Sequence, residues 1–205
     1  MIFQADELST KQHYKFLSGA VIPRPIAFIT TLMEDGKSVN AAPFSFFNIV
    51  SSDPPLLSIS VQRAAGQQKD TARHAIREQE VMVHIVSAAF VNEVNKTAAR
   101  LPPNESEIDQ TALTLKKLAA YATPVIAEAQ IILPTRMEHV IEIKNDAGEV
   151  TADLLLLRVQ AYIFADAVFD KQKEYLLAEA MQPVARLAGN DYAELGRTFT
   201  LKRPN

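Results

Sequence analysis

Two turn signals punctuate the strand-forming parts of this sequence, and a chain divided in this way pairs its strands antiparallel. The first, Asp35-Gly36, supplies the positive-φ chemistry of a hairpin between residues 26–31 (IAFITT) and a return run at 39–43. The second, Asn145-Asp146-Ala147-Gly148, lies between long apolar runs at 131–143 and 154–165. The IAFITT run is β-branched and aromatic, and it follows directly on Pro23-Arg24-Pro25, whose prolines hold the entry extended. A further strand is predicted at 56–61, bounded by Asp53-Pro54-Pro55 before it and by the polar residues 63–69 after it, with Ser58 and Ser60 on one face.

Helices fall between these strands without alternating regularly with them. Asp70 or Thr71 caps a helix running to about residue 78, and residues 80–87 then alternate Val81, Val83 and Ile85 against Met82, His84 and Val86 as a strand. Residues 90–100 have helical spacing and stop at Pro102-Pro103, and the acidic 104–109 stretch is a loop. Weaker helical character is read at 111–120 and again at 171–187, and residues 198–201 form a short final strand. The pattern predicts a mainly β chain with inserted helices, an antiparallel barrel rather than a doubly wound sheet. With 205 residues, 48% of them hydrophobic, residues 1–205 are read as one domain.

Composition narrows function by exclusion. A formal net charge of −3 lacks the basic footprint that neutralising a phosphate backbone requires, so nucleic acid is not an expected partner. The chain has no cysteine, which removes disulfides, thiolate metal sites and a cysteine nucleophile. None of the six glycines forms G-x-G, so the dinucleotide fingerprint is missing, as is the phosphate-binding P-loop. The four histidines, His13, His74, His84 and His139, are scattered without metal-ligand spacing, and no G-x-S-x-G elbow occurs. No metal site and no catalytic side chain is assigned. The opening MIFQADELSTKQHYKF has no apolar signal-peptide core, and no run approaches the roughly 18 apolar residues of a membrane span. The expected compartment is the cytoplasm.

What remains is a concentration of hydroxyl, amide and basic side chains between Thr30 and Thr71. In NAAPFSFFN (40–48), Ser45 and Asn48 stand among three phenylalanines just after a strand. One reading makes the aromatics core and the polar pair a turn; the other makes the segment a ligand wall. Lys69-Asp70-Thr71 opens a helix, where free N–H groups and the dipole attract an anion. Lys69, Arg63 and the Thr71 hydroxyl are equipment for a phosphate monoester, although Asp70 also serves as an ordinary cap.

Taken in order, PRPIAFITT (23–31), Asp35-Gly36, NAAPFSFF (40–47) with Asn48, SSDPPLLSISV (51–61), KDT (69–71), PVARLAGNDY (183–192) and FTLKRP (199–204) resemble the flavin reductase-like family, whose members are FMN-binding split barrels. The resemblance implies that Thr30, Thr31, Ser45, Phe46 and Asn48 face the flavin ring and ribityl chain. It implies that Ser60, Arg63, Lys69 and Thr71 serve the phosphate, and that Arg186 and Tyr192 close the site. It also implies a homodimer, with electrons passing from NAD(P)H through FMN to a small-molecule acceptor. The chain departs from the family at Arg73-His74-Ala75-Ile76, which lacks the usual asparagine, and at Glu107-Ile108 and Ala112-Leu113, where a Glu-Phe element and a glycine-leucine pair are common. Two other readings stay open: an FMN carrier or sensor without reductase turnover, and a ligand-free β-barrel interaction protein.

Overall fold

A computed structural model describes residues 1–204. Its main body is one eight-stranded antiparallel sheet built from β1 (Ala27–Leu32), β2 (Val39–Phe44), β3 (Phe47–Ser52), β4 (Pro55–Gln62), β5 (Glu80–Ile85), β6 (Ile131–Lys144), β7 (Val150–Val159) and the short β8 (Ile163–Phe164). The hydrogen-bonded order is β2-β1-β5-β6-β7-β4-β3, with β8 on β6. The two edge strands, β2 and β3, are consecutive in sequence and only Ser45 and Phe46 lie between them. Two residues bridge opposite edges only if the sheet curls round until those edges meet. The barrel is therefore split at a seam between β2 and β3, where the Ser60 amide donates to the Phe46 carbonyl at 2.9 Å.

Both hairpins expected from the turn signals form. Thr30 pairs with Ala41 and Thr31 with Asn40 across the first. In the second, the Asn145 carboxamide accepts from the Ala147 and Glu149 amides at 3.1 and 2.9 Å, while Gly148 takes φ of +81°.

Every residue of β1 is buried, on both faces of the strand. Inside the barrel, Ala27 and Ile29 meet Leu57, Ile59, Val61, Val83, Leu155 and Leu157. Helix α2 (Asp70–Glu78) adds Ala72 and Ala75 to that cluster. Outside, Ile26 and Phe28 pack on Phe90, on Val94 of α3 (Val91–Lys96), and on Ile108, Leu113 and Ile126. Burial of each large side chain contributes about 1.5–3 kcal/mol, so an apolar run without polar alternation suits this two-sided position.

Several expected elements differ. Residues 10–20 form a helix, α1 (Thr10–Ala20), that the sequence reading omits, although Ser9 and Gln12 make a reciprocal capping box. β3 is also additional. The helix expected at 90–100 is only α3, because the Thr97 hydroxyl turns back to the Val94 carbonyl at 2.8 Å. No helix forms at 111–120. That segment contributes the two-residue strand Leu115–Lys116, paired with Val125–Ile126. Of the helix expected at 171–187, only α4 (Ala178–Met181) forms, ending at Gln182 in the left-handed region. Beyond it, Val184–Arg186 pairs with both Arg24–Pro25 and Tyr192–Glu194. Residues 198–201 form no strand. No helix among the described residues is long and apolar enough to cross a membrane.

Candidate functional site

A cavity opens beside the edge strand β2. As an edge strand β2 pairs only with β1, so Pro43 is tolerated without a missing ladder bond, and small Ala42 leaves space beside it. A cavity of about 350 Å³ is bounded there by Asn40, Ala42, Pro43 and Phe44, by residues 67–71 at the start of α2, by residues 97–101 after α3, and by Glu107.

Its polar lining has an asymmetry of charge. Lys69 is the N-cap of α2 and, having no acceptor in its side chain, leaves the first-turn amides without a side-chain partner. The cap expected at Asp70 or Thr71 is thus displaced by one or two positions. Asp70 is instead the first helical residue, and its carboxylate pairs with Arg73 at 2.7 Å. The Thr71 hydroxyl, buried, accepts from the Asn40 carboxamide at 2.9 Å, and the same Asn40 nitrogen stands 3.4 Å from the Thr31 hydroxyl. Neither Lys69 nor Arg100 has a carboxylate within ion-pair distance among the described residues. Partial desolvation at the cavity wall, helped by the charge of Arg100, holds the Lys69 ammonium below its ordinary pKa, although the residue as a whole is exposed. Glu107 shows the opposite displacement. Burial raises its carboxyl above the usual range, the Ala41 amide donating at 3.0 Å works against that, and the charge of Asp70 adds to it.

A second recess, of about 160 Å³, shares Pro43, Phe44 and Ala98 with the first and continues to Ser45, Asn95, Arg186 and Tyr192. The Arg186 guanidinium lies 4.4 Å over the Tyr192 ring, whose hydroxyl donates to the Asn95 carboxamide at 2.9 Å. Directly across the strand pair from Arg186 is Arg24. Arg24 is buried, donates to the Ser18, Val21 and Leu187 carbonyls, and reaches the Ser45 hydroxyl at 3.4 Å. Among the described residues its charge has no carboxylate within ion-pair distance and is met by carbonyl dipoles.

Of the residues singled out in sequence, the structure gathers Lys69 and Thr71 in the larger cavity and Ser45, Arg186 and Tyr192 in the recess. Thr31 sits one hydrogen bond behind the wall. The others lie elsewhere. The Thr30 hydroxyl donates to the Pro124 carbonyl at 2.9 Å on the opposite face of β1. The Phe46 ring packs toward Tyr14 at 6.3 Å between centroids, and Asn48 is exposed with its carboxamide accepting from the Ile49 amide. The Ser60 hydroxyl accepts from Gln62 at 3.1 Å. Arg63 forks onto buried Asp153 at 3.0 and 2.7 Å and reaches Glu142 at 3.2 Å. Sequence reasoning did not single out Asn40, Arg100 or Glu107. For Asn40 a signal existed, since it is the one polar residue in an otherwise apolar strand and faces Thr31 across the hairpin.

Residues 18–179 match the family model described as flavin reductase like domain. A Bacillus subtilis (strain 168) protein, YwrF, is 52% identical over 204 residues, covering 100% of this chain and 99% of its own. Among solved structures, nitrilotriacetate monooxygenase component B from Bacillus cereus superposes with a TM-score of 0.93 at 41% identity, over 98% of each chain. Pseudomonas fluorescens 2-nitrobenzoate 2-nitroreductase NbaA superposes with a TM-score of 0.88 at 25% identity, over 100% of this chain and 96% of its own.

Proposed function

Because the chain belongs to the flavin reductase-like domain family, we propose that it holds FMN along the two adjoining recesses and acts as an oxidoreductase, passing electrons from NAD(P)H to a small-molecule acceptor. The observation that carries this reading is the donor set of the larger cavity. Two cations without ion-pair partners among the described residues, the Thr71 hydroxyl and the amides of the α2 start that no side chain caps surround one space. That set fits a terminal phosphate, and the cavity volume is of the size that receives a small cofactor.

Lys69, Arg100 and Thr71 would hold the phosphate, with Asn40 fixing the orientation of the Thr71 hydroxyl. Phe44, Ser45 and Tyr192 would border the ring. FMN supplies the redox chemistry when bound. The chain's contribution is position and field: Arg24 behind Ser45 and Arg186 beside it place two positive charges at one recess, which favours any ring that gains negative charge on reduction. The names of the Bacillus cereus component B and of the Pseudomonas nitroreductase support an oxidoreductase role. A homodimer is supported by the exposed apolar side chains of Ile49, Val50, Val140, Ile141 and Ile143 on β3 and β6. The cytoplasm is the compartment proposed.

The test is titration of purified protein with FMN and FAD, followed by NADH and NADPH oxidation with free FMN, ferric iron or oxygen as acceptor. Tight FMN binding with turnover is expected. Bound flavin without turnover leaves a carrier, tighter binding of FAD overturns the cofactor assignment, and no flavin binding overturns the whole reading.

A further inference from the structure

Glu107 is an anomaly in a cavity read as an anion site. It is buried and forms part of the cavity wall, and a carboxylate there would repel the phosphate that Lys69, Arg100 and the α2 amides attract. Yet no lysine, arginine or histidine pairs with it among the described residues. Its carboxylate accepts from the neutral Ala41 amide at 3.0 Å and from its own backbone amide. β2, packed against it, brings only Asn40 as a polar side chain. From the start of α2 come Asp70 and Lys69, and from the segment after α3 comes Arg100. The charge of Asp70, which is of like sign, raises the Glu107 carboxyl further. Burial without an ion-pair partner, together with the like charge of Asp70, raises the carboxyl and so favours the neutral acid. A neutral carboxylic acid is a hydrogen-bond donor, and a phosphate oxygen is the acceptor such a donor suits.

We infer that Glu107 is a phosphate-recognition residue of this cavity, donating a hydrogen bond from its carboxylic acid to the ligand's phosphate group. The inference rests on the flavin reading above and deepens it. It makes FMN affinity depend on a proton: the acid form supports the phosphate and the carboxylate opposes it, so affinity falls as Glu107 ionises with rising pH. Glutamine at this position keeps both the acceptor for the Ala41 amide and a donor for the phosphate, but cannot ionise. Riboflavin, which has the same ring and no phosphate, is insensitive to the change.

The experiment is a fluorescence titration with FMN and with riboflavin from pH 5 to 9, on the wild-type chain and on Glu107→Gln, with the thermal midpoint as a check of folding. Wild type and variant should bind FMN alike at the acid end. By the alkaline end the variant should bind about tenfold more tightly, as loss of one charge-assisted hydrogen bond and its replacement by repulsion imply. The riboflavin curves should run parallel. Any slope common to both proteins belongs to Lys69 and to the phosphate itself. Should Glu107→Gln fail to fold, calorimetry of Lys69→Ala at the alkaline end of the range, where Glu107 is ionised in the free chain and the FMN phosphate is already a dianion, reads the same proton in two buffers of different ionisation enthalpy: FMN binding should take up a proton that riboflavin binding does not. Parallel FMN profiles, or no phosphate-dependent proton uptake, overturn the inference while leaving the flavin site standing. Failure of both FMN and riboflavin to bind the wild-type chain overturns the proposed function and this inference with it.

Discussion

Lys69→Ala separates a phosphate ligand from a solvated residue that merely precedes a helix. Lys69 is one of two cations in the cavity without a carboxylate partner among the described residues, and it stands where α2 lacks a side-chain cap. A hydrogen bond to a charged group contributes about 1.5–3 kcal/mol, and the exposure of Lys69 at the rim puts it at the lower end. A loss of about 1.5 kcal/mol is about tenfold in FMN affinity. Stability should change by less than about 0.5 kcal/mol, because the side chain has no hydrogen-bond partner in the fold to lose. Raising the salt concentration should shrink the deficit, since the screening length is about 10 Å at 0.1 M and about 3 Å at 1 M. Asp70→Ala is the matched control. It removes the half-exposed pair with Arg73, worth a few tenths of a kcal/mol, and it removes an anion from the cavity wall. FMN affinity should therefore hold or rise in Asp70→Ala and fall in Lys69→Ala. Flavin fluorescence titration at low salt, with thermal midpoints, reads both. Unchanged affinity in Lys69→Ala at low salt would refute the phosphate assignment.

Three further outcomes follow from other parts of the molecule. Arg63→Ala should lower the denaturation midpoint, because it strands the buried Asp153 carboxylate, and Asp153→Asn in the same chain should restore part of the loss; FMN affinity measured alongside should change little. His84 should make the protein acid-sensitive: its Nδ1–H donates to the Phe28 carbonyl, its Nε2 accepts from the Ile126 amide, and burial lowers its pKa from 6.5 to about 4. The unfolded chain then binds more protons between those values, so stability present above pH 6.5 is lost as pH falls toward 4, by about 3 kcal/mol, which urea unfolding at pH 7 and pH 4.5 should register. Sedimentation at micromolar concentration should give a dimer, and Ile141→Glu on the exposed apolar face should produce monomers; a wild-type monomer would count against the interface.

With the exception of α1, whose Ser9–Gln12 capping box is local, elements specified by local chemistry were legible in the sequence, and those specified by distant partners were not. The proline-flanked IAFITT run and the two hairpins depend on residues within a few positions of each turn, and both hairpins form. β3 was hidden because most of its side chains are exposed, so no alternation marks it; pairing with β4 alone defines it. Residues 111–120 have helical spacing, but Leu115 and Lys116 are held extended by Val125 and Ile126, where tertiary pairing outweighs a weak propensity. The same limit applies to the site. Lys69 and Thr71 are adjacent to a helix start and reach the cavity together, whereas Arg63, with the same charge and a similar address, is taken by a carboxylate ninety positions further along the chain. Glu107 reads as one more acid in a polar loop until β2 and α2 enclose it.

The seam at Ser45-Phe46 bears on how descendants of this chain can vary. Side chains in a strand alternate faces with a period of two, so one residue added between β2 and β3 would turn every later position of β3 to the wrong side or force a bulge. It would also pull the Phe46 carbonyl from the Ser60 amide and shift Ser45 relative to Arg24. Insertions at the hairpin tips, around Asp35 or Asp146, lengthen exposed turns that line neither recess. Length polymorphism should therefore accumulate at the hairpin tips and be purged at the two-residue seam, which leaves a lineage free to diversify its periphery while the spacing at the groove is inherited unchanged.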